Sequence, residues 1–411
     1  MRKNIALLSD NGEMLLEEIN ELDIPQNDLD ASLEQLEQME DALDDAGATA
    51  ETVETLTTVL QNTEEVNPVA LESLMRAHTY LVNRIGFSTE SYCYKNKTVA
   101  LESFMDSAKN IYESIIKVFK KAVDWVVGFF KQLFDRAERL KNTAKKIKQM
   151  ATDNVDKKLS TDPIEQQGFS KLLCYNGQLI DGDPMYPALN GLFKVIGDLE
   201  SKHLTKETIT KATKHVEDFM NRGDAVSKEV SGGALNDLLS EMPKFKASPS
   251  QEGMQRGYVR GEEVLPFGNK SMFSVMPAHF AATETLNAGF NIQLGDSSQQ
   301  KQVSESDKHE PFKEVRDVES VADSIVKYLE HFSDSDKIIK ELEKTLKGIT
   351  KLTKIKTDGD GKRDMTKLQI FGMLTVIRKA YVAFYSSIKN YSVSVCQAAL
   401  QFCQVNLKTM A

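Results

Sequence analysis

The chain of 411 residues is long enough for one large domain or for two to three ordinary ones. Its charged fraction of 27% and hydrophobic fraction of 41% are those of a soluble globular protein and argue against a disordered or fibrous one. No stretch approaches the roughly eighteen uncharged apolar residues of a transmembrane helix, and the N-terminal apolar run Ile5–Leu8 is too short for a signal-peptide core.

The net charge of −10 is unevenly distributed. Residues 1–72 hold two basic and nineteen acidic residues, whereas residues 73–411 hold 49 basic and 42 acidic ones. The acidic part also lacks aromatic residues, the first being Tyr80. Its short helical patterns contain few large apolar side chains, so it can bury little core. We interpret residues 1–102 as an acidic helical pro-segment; a solvated acidic domain is the alternative.

A seven-residue word occurs twice where the charge changes sign. It reads VALESLM at 69–75 and VALESFM at 99–105, with six identical positions, and the flanking residues do not repeat. A duplicated structural unit carries similarity over its whole period, which excludes that explanation. Asn67 with Pro68, and Thr98 in the second case, are predicted to cap helices that begin at the words. Capping accounts for the polar start and not for six identical residues.

A long amphipathic helix is predicted after the second word. From Phe104 to Ile147 the apolar residues follow one another at steps of three and four. Residues 103–160 carry thirteen basic and seven acidic residues, a composition typical of a bundle core helix and also of a membrane-interface helix. The side chains of the candidate membrane or partner face are Phe104, Ile111, Ile115, Trp125, Phe129 and Phe130.

Further helices and one β-rich segment follow. Residues 164–226 contain three predicted helices, written IEQQGFSKLLCYN, ALNGLFKVIGDLESKH and KETITKATKHVEDFMNRG. The segment 227–300 is rich in glycine and proline, with a predicted β-hairpin around Gly268–Asn269 and a third strand FNIQL. Residues 296–308 are predicted to be an exposed linker.

The C-terminal hundred residues return to helix. VESVADSIVKYLEHF is amphipathic, and the stretch from Phe371 to Cys403 is apolar around most of its circumference, which indicates a helix packed on several sides. The predicted fold is mainly α: an elongated helical bundle with a small β-rich insertion at about 250–295 and the acidic helical pro-segment. The predicted regions are 1–102, 103–226, 227–308, and 309–411 packing on 103–226.

Motifs for catalysis, cofactors and metals are missing. The six histidines are scattered, and the chain has no HExxH, GxSxG or P-loop pattern. The four cysteines lack metal spacing; Cys396 and Cys403 are predicted to be small core residues in a reducing compartment. We therefore predict a non-enzymatic protein without cofactor or metal. One lysine stripe offers possible phosphate contacts or a solvated helix face: Lys340, Lys344, Lys347, Lys351 and Lys354.

The acidic aromatic-free leader, the Ala-Leu-Glu-Ser words and the lysine- and aromatic-rich helix together resemble the internal head proteins of giant tailed bacteriophages. The resemblance implies that a prohead protease cuts after an Ala-x-Glu motif during capsid maturation. The mature chain would then begin at Ser73 or Ser103 and be packaged inside the capsid with the DNA. The implied cleavage residues are Ala70, Leu71, Glu72 and Ser73 in the first word and Ala100, Leu101, Glu102 and Ser103 in the second.

The partners that this resemblance implies are the prohead protease, other head proteins, and packaged DNA held by weak non-specific electrostatics. A homo-oligomer, ejection into the host and membrane contact after ejection also follow as expectations. The expected location is the virion interior, with the host cytoplasm during assembly and after ejection. Two alternatives remain open: a membrane-active or host-directed effector that uses helix 104–134, and an intracellular helical adaptor that is never cut.

Overall fold

The computed structural model describes residues 49, 52–53, 55–63, 67–84, 97–221, 237–246, 258–277, 290–297, 300–332, 340, 343–344, 372–374 and 376–410. The predicted acidic helices before residue 49 lie outside this set. Six helices have assigned bounds: α1 Pro68–Arg84, α2 Lys97–Asp153, α3 Met185–His203, α4 Lys206–Asn221, α5 Val315–Glu330 and α6 Phe384–Lys408. Five short strands are β1 Cys174–Tyr175, β2 Gln178–Leu179, β3 Tyr258–Val264, β4 Lys270–Pro277 and β5 Asn291–Asp296. The prediction of a mainly α fold is confirmed.

Helix α2 is the longest helix described, and α1, α5 and α6 contact it. It runs without interruption for 57 residues, which corresponds to about 85 Å. The stretch contains no proline, and its apolar side chains recur on one stripe that is buried from Phe104 to Ala151 wherever the side chains are described. The predicted helix is confirmed and begins seven residues before Phe104.

Helix α5 packs antiparallel to the C-terminal half of α2. The Nζ atom of Lys148 lies 2.6 Å from Oδ1 of Asp323, and Nζ of Lys145 lies 3.8 Å from Oε1 of Glu330. Later residues of α5 therefore meet earlier residues of α2. The facing apolar stripes of the two helices share one core.

Helix α6 lies along the same half of α2 and is buried on nearly every side, as the apolar sequence predicts. It continues a π-helical turn at Arg378–Ala383. The fully buried guanidinium of Arg136 donates to Oδ1 of Asn390 at 3.3 Å and to Oε1 of Gln397 at 2.6 Å. Phe130 contacts Tyr385, with ring centroids 5.4 Å apart.

The antiparallel sheet β3-β4-β5 is packed into this core. The turn before β4 places Gly268 at φ 64° and Asn269 at φ 51°, a region that these two residue types tolerate. The Tyr391 hydroxyl of α6 accepts from the Phe267 amide at 3.1 Å and donates to the Phe267 carbonyl at 2.9 Å. The predicted hairpin and third strand are confirmed, and the sheet belongs to the main core.

One predicted helix is wrong. The segment IEQQGFSKLLCYN forms only a single 3-10 turn, Gly168–Lys171, and then enters the β1–β2 hairpin. Asn176 at φ 49° and Gly177 at φ 81° make the turn, as the Asn-Gly pair favours. The apolar residues around Phe169 have a spacing typical of a helix, but the Asn176–Gly177 turn directs this segment into a hairpin.

Candidate processing sites

The two repeated words pack together in a small cluster of their own, here called the word cluster. Its fully or nearly fully buried members are Leu60, Leu71, Ala100 and Phe104, with Leu56, Leu74, Met75 and Leu101 partly buried around them. The first word supplies Leu71 from α1, and the second supplies Ala100 and Phe104 from α2. Val53 and Val82 of the same N-terminal unit (residues 52–84 with 97–111) join the main core instead.

The start of α1 is capped as predicted. The Asn67 side-chain oxygen accepts from the Val69 amide at 2.9 Å, and the Asn67 carbonyl accepts from the Leu71 amide at 3.0 Å. Pro68 is the first helical residue. The prediction for the second word is wrong, because α2 already includes Lys97 and Thr98 therefore lies inside the helix.

Lys97 fastens the residues before the first word to the start of α2. Its Nζ atom donates to the carbonyls of Thr63 at 2.7 Å and Gln61 at 3.3 Å. The Gln61 carbonyl lies in the last turn of the helical stretch 55–62 and Thr63 directly follows it, at a helix end where a cation is favoured.

A buried histidine fills the gap between the two word-bearing helices. His78 stacks on Phe104 with ring centroids 4.3 Å apart, and both side chains are fully buried. Neither ring nitrogen of His78 has a hydrogen-bond partner among the described residues. Burial lowers the pKa of His78 to about 4, so the ring is neutral at neutral pH.

Two positions, the valine and the glutamate, are exposed in both words, and no position is buried in both. Val69 is 70% exposed and Val99 is 38% exposed. Glu72 and Glu102 are also both exposed. Packing against the rest of the chain therefore does not require valine and glutamate to recur at these places.

The remaining positions differ in accessibility. In the first word Ala70 and Ser73 are exposed. In the second, Ala100 is fully buried and Ser103 is half-buried. The first predicted cleavage point is thus the more open of the two.

The predicted membrane or partner face is largely occupied by internal packing. Phe104, Ile111, Phe129 and Phe130 are buried, Trp125 is half-buried and stacks on Phe129 at 5.2 Å, and the Ile115 side chain lies outside the described set. The apolar stripe that suggested a bilayer contact serves the core in the folded chain. Within the described ranges, no helix is long and apolar enough to span a membrane.

Two members of the lysine stripe are within the described residues. Lys340 and Lys344 are helical and exposed. Lys347, Lys351 and Lys354 lie outside the described residues. Whether the stripe contacts phosphates stays a prediction.

The structure assembles a polar group that motif reading missed. The Ser170 hydroxyl lies 2.7 Å from Nε2 of His309, and Nδ1 of His309 lies 3.3 Å from Oδ2 of Asp181. The order resembles a nucleophile, base and carboxylate, yet Ser170 is 4% exposed and His309 is fully buried. No substrate can reach the hydroxyl in this conformation, so the group acts as an internal clamp. Elsewhere in the described part of the chain, no three His, Cys, Asp or Glu side chains are grouped to hold a metal ion.

A second buried network contains a charged pair. The Nζ atom of Lys389 lies 2.6 Å from Oε1 of Glu200, and the Lys389 side chain is only 4% exposed. Tyr328, Phe332 and Tyr385 surround the ammonium with ring centroids 4.6–5.8 Å away. Burial lowers the pKa of Lys389, and the Glu200 carboxylate opposes that change.

Comparison with known families gives one match. A family model described as phiKZ-like phage internal head proteins matches residues 18–404. No curated protein and no solved structure matches the chain. The matched range includes both words, the long helix, the sheet and nearly all of α6.

Proposed function

Because the chain belongs to the phiKZ-like phage internal head proteins, whose place is the virion interior, we propose that it is made as a precursor and cut by a prohead protease after Glu72, after Glu102, or at both. The product is a non-enzymatic head protein packaged with the phage DNA.

The observation that carries this proposal is the recurrence of exposed residues in both words. Val69 and Glu72 in the first word correspond to Val99 and Glu102 in the second, and all four are exposed. Exposed side chains contribute little to packing, so packing does not account for their recurrence. A protease that recognises the word supplies a reason for it.

Charge supports the same reading. Removing residues 1–72 takes away nineteen acidic and two basic residues and leaves a chain of net charge +7; starting at Ser103 leaves +5. An acidic leader weakens attraction to nucleic acid during assembly, and its loss permits weak, salt-sensitive contacts with packaged DNA. Lys340 and Lys344 are exposed candidates for such contacts.

Most of the exposed large apolar side chains lie in the N-terminal unit, and we propose this unit as the region that meets protein partners. Among the described residues, five of the seven exposed large hydrophobic side chains lie in this unit: Val59, Val69, Tyr80, Val99 and Met105. Such a surface suits docking to the protease, to other head proteins or to a second copy of the chain. Ejection into the host and later membrane contact remain expectations of our proposal.

The test is the N-terminal residue of the protein in purified virions, determined by intact mass and terminal peptide mapping. We expect a start at Ser73 or Ser103. Phage carrying Glu72→Gln and Glu102→Gln together should contain the chain uncut at both words, whereas the control Glu113→Gln, at an exposed position outside the words, should be processed normally. A wild-type virion containing only chains that begin at Met1 contradicts the proposal and favours the uncut adaptor.

A further inference from the structure

We infer that the two cuts are ordered: the cut after Glu72 comes first and uncovers the second word. This inference rests on the proposed processing and concerns its regulation. It follows from the way in which the first word covers the second.

Access differs between the words before any cut. Glu72 lies on α1 between buried Leu71 and exposed Ser73, and the residues two positions away are exposed Ala70 and half-buried Leu74. Glu102 lies between half-buried Leu101 and Ser103, and the residues two positions away, Ala100 and Phe104, are both fully buried in the word cluster. Proteolysis acts on locally opened chain, and opening the second word requires those two side chains to leave the cluster.

The first cut weakens the part of α1 that covers the second word. It separates Ser73–Arg84 from the Asn67 cap and places a new ammonium at the helix N-terminus, where positive charge is unfavourable. The remnant has twelve residues, a length at which isolated helices are marginal. It keeps His78 and Val82 as buried contacts and loses Leu71.

The first cut also releases the leader. Among the described residues of the leader, the buried side chains are those of Thr49, Val53, Leu60 and Leu71. Once the chain is cut, the leader can stay bound only against the translational and rotational entropy that association costs. We expect the leader to dissociate after the cut, which takes Leu60 and Leu71 out of the word cluster.

Ala100 and Phe104 then lose much of their cover, and the first turns of α2 can open for the protease. The expected course is therefore an intermediate that begins at Ser73, followed by a product that begins at Ser103. The same cluster that hides the second word is dismantled by cutting the first.

The experiment follows both cuts in the purified full-length chain treated with its prohead protease, using intact mass over time. In the wild type, chains beginning at Ser73 should accumulate before chains beginning at Ser103. In Glu72→Gln the Ser103 product should form at least about tenfold more slowly, because the buried cluster persists. In Glu102→Gln the cut after Glu72 should keep its wild-type rate.

A second pair of variants tests whether slow cutting after Glu102 is due to burial of the second word and not merely to loss of the first cleavage site. In the Glu72→Gln background, Leu60→Ala should restore fast cutting after Glu102, since Leu60 is fully buried in the word cluster. Val59→Ala, at a neighbouring position that is 47% exposed, should not restore it. Formation of the Ser103 product at the wild-type rate in Glu72→Gln overturns the order and leaves the proposed function intact. Failure of the wild-type chain to be cut at either word overturns the proposed function and the order with it.

Discussion

The N-terminal unit and the body, meaning α2 from Val123 onward with α3–α6 and the sheet, are held by different amounts of buried surface. The words share a cluster of four buried side chains. The body buries apolar side chains from every one of its helices and from the sheet in one continuous core. Units with little buried apolar contact open at low free energy, so we expect the N-terminal unit to open before the body, although Val53 and Val82 still contribute to the main core.

Polar contacts differ in the same way. In the N-terminal unit, Glu72 and Arg76 form an ion pair 2.6 Å long whose side chains are 61% and 80% exposed, and such pairs contribute about 0–1 kcal/mol. In the body, Arg136 and Lys389 are buried and need every partner they have. We therefore expect substitutions of these buried charged residues to destabilise the body more than loss of the exposed pair destabilises the N-terminal unit.

The largest effect is expected from breaking the body's buried pair. Lys389→Ala leaves the Glu200 carboxylate without its cation and leaves space within the aromatic cage, so we expect a loss of about 3–5 kcal/mol in unfolding free energy. Lys389→Met, which refills the cage, should lose less. Urea unfolding at pH 7 measures both. As a control, Lys327→Ala removes a pair with Asp323 in which the lysine is 71% exposed, and it should lower the unfolding free energy far less than Lys389→Ala does.

A smaller and local effect is expected in the word cluster. Phe104→Ala removes a fully buried ring and should cost about 3 kcal/mol of local stability, seen as faster hydrogen exchange in α1. The urea midpoint of the body should hardly change. Met105→Ala, at the adjacent position that is 44% exposed, is the matched control and should leave α1 protected. An equal fall in the body's midpoint on Phe104→Ala would contradict the separation of the two regions.

The smallest effect is expected from pH. Burial lowers the pKa of His78 in the N-terminal unit and of His203 in the body to about 4. An unfolded histidine binds a proton below about pH 6.5, so stability is complete above that pH and falls as pH drops toward 4. Exchange protection, corrected for intrinsic rates, should fall in α1 by pH 4.5 and persist in α5.

The control for this pH effect is His78→Phe, which keeps a ring on Phe104 and removes the titrating group. It should abolish most of the pH-dependent loss in α1. Persistence of the full loss in this variant would show that other groups, and not His78, carry the response.

Signals between residues close in sequence predicted much of the fold. Features that depend on contacts between distant segments could not be predicted in this way. The unbroken apolar stripe predicted α2, and Asn67 with Pro68 predicted the start of α1, because these signals act within one or two turns. The 164–176 segment failed because an apolar helix-like spacing competed with the Asn176–Gly177 turn. A stripe that fits a membrane equally fits a core until its partner helices are known.

Some features of the candidate sites could likewise be predicted from the sequence, and others could not. The words and their charge boundary are visible in the sequence, whereas their mutual packing is not, since nothing local says that Leu71 meets Ala100 and Phe104. Ser170 and His309 lie 139 residues apart, so no spacing rule connects them. Only the folded chain brings them together.

The continuity of α2 means that both proposed starts of the processed chain, Ser73 and Ser103, keep the same contacts between α2 and α6. Phe104 and Arg136 are separated by 32 residues of one helix, about 48 Å along its axis. A start at Ser103 shortens this rod by six residues, about 9 Å, and leaves the register of Arg136 with Asn390 and Gln397 unchanged. Under the proposed processing, the place of the cut would change what projects from one end of the rod and would leave these contacts at the other end unchanged.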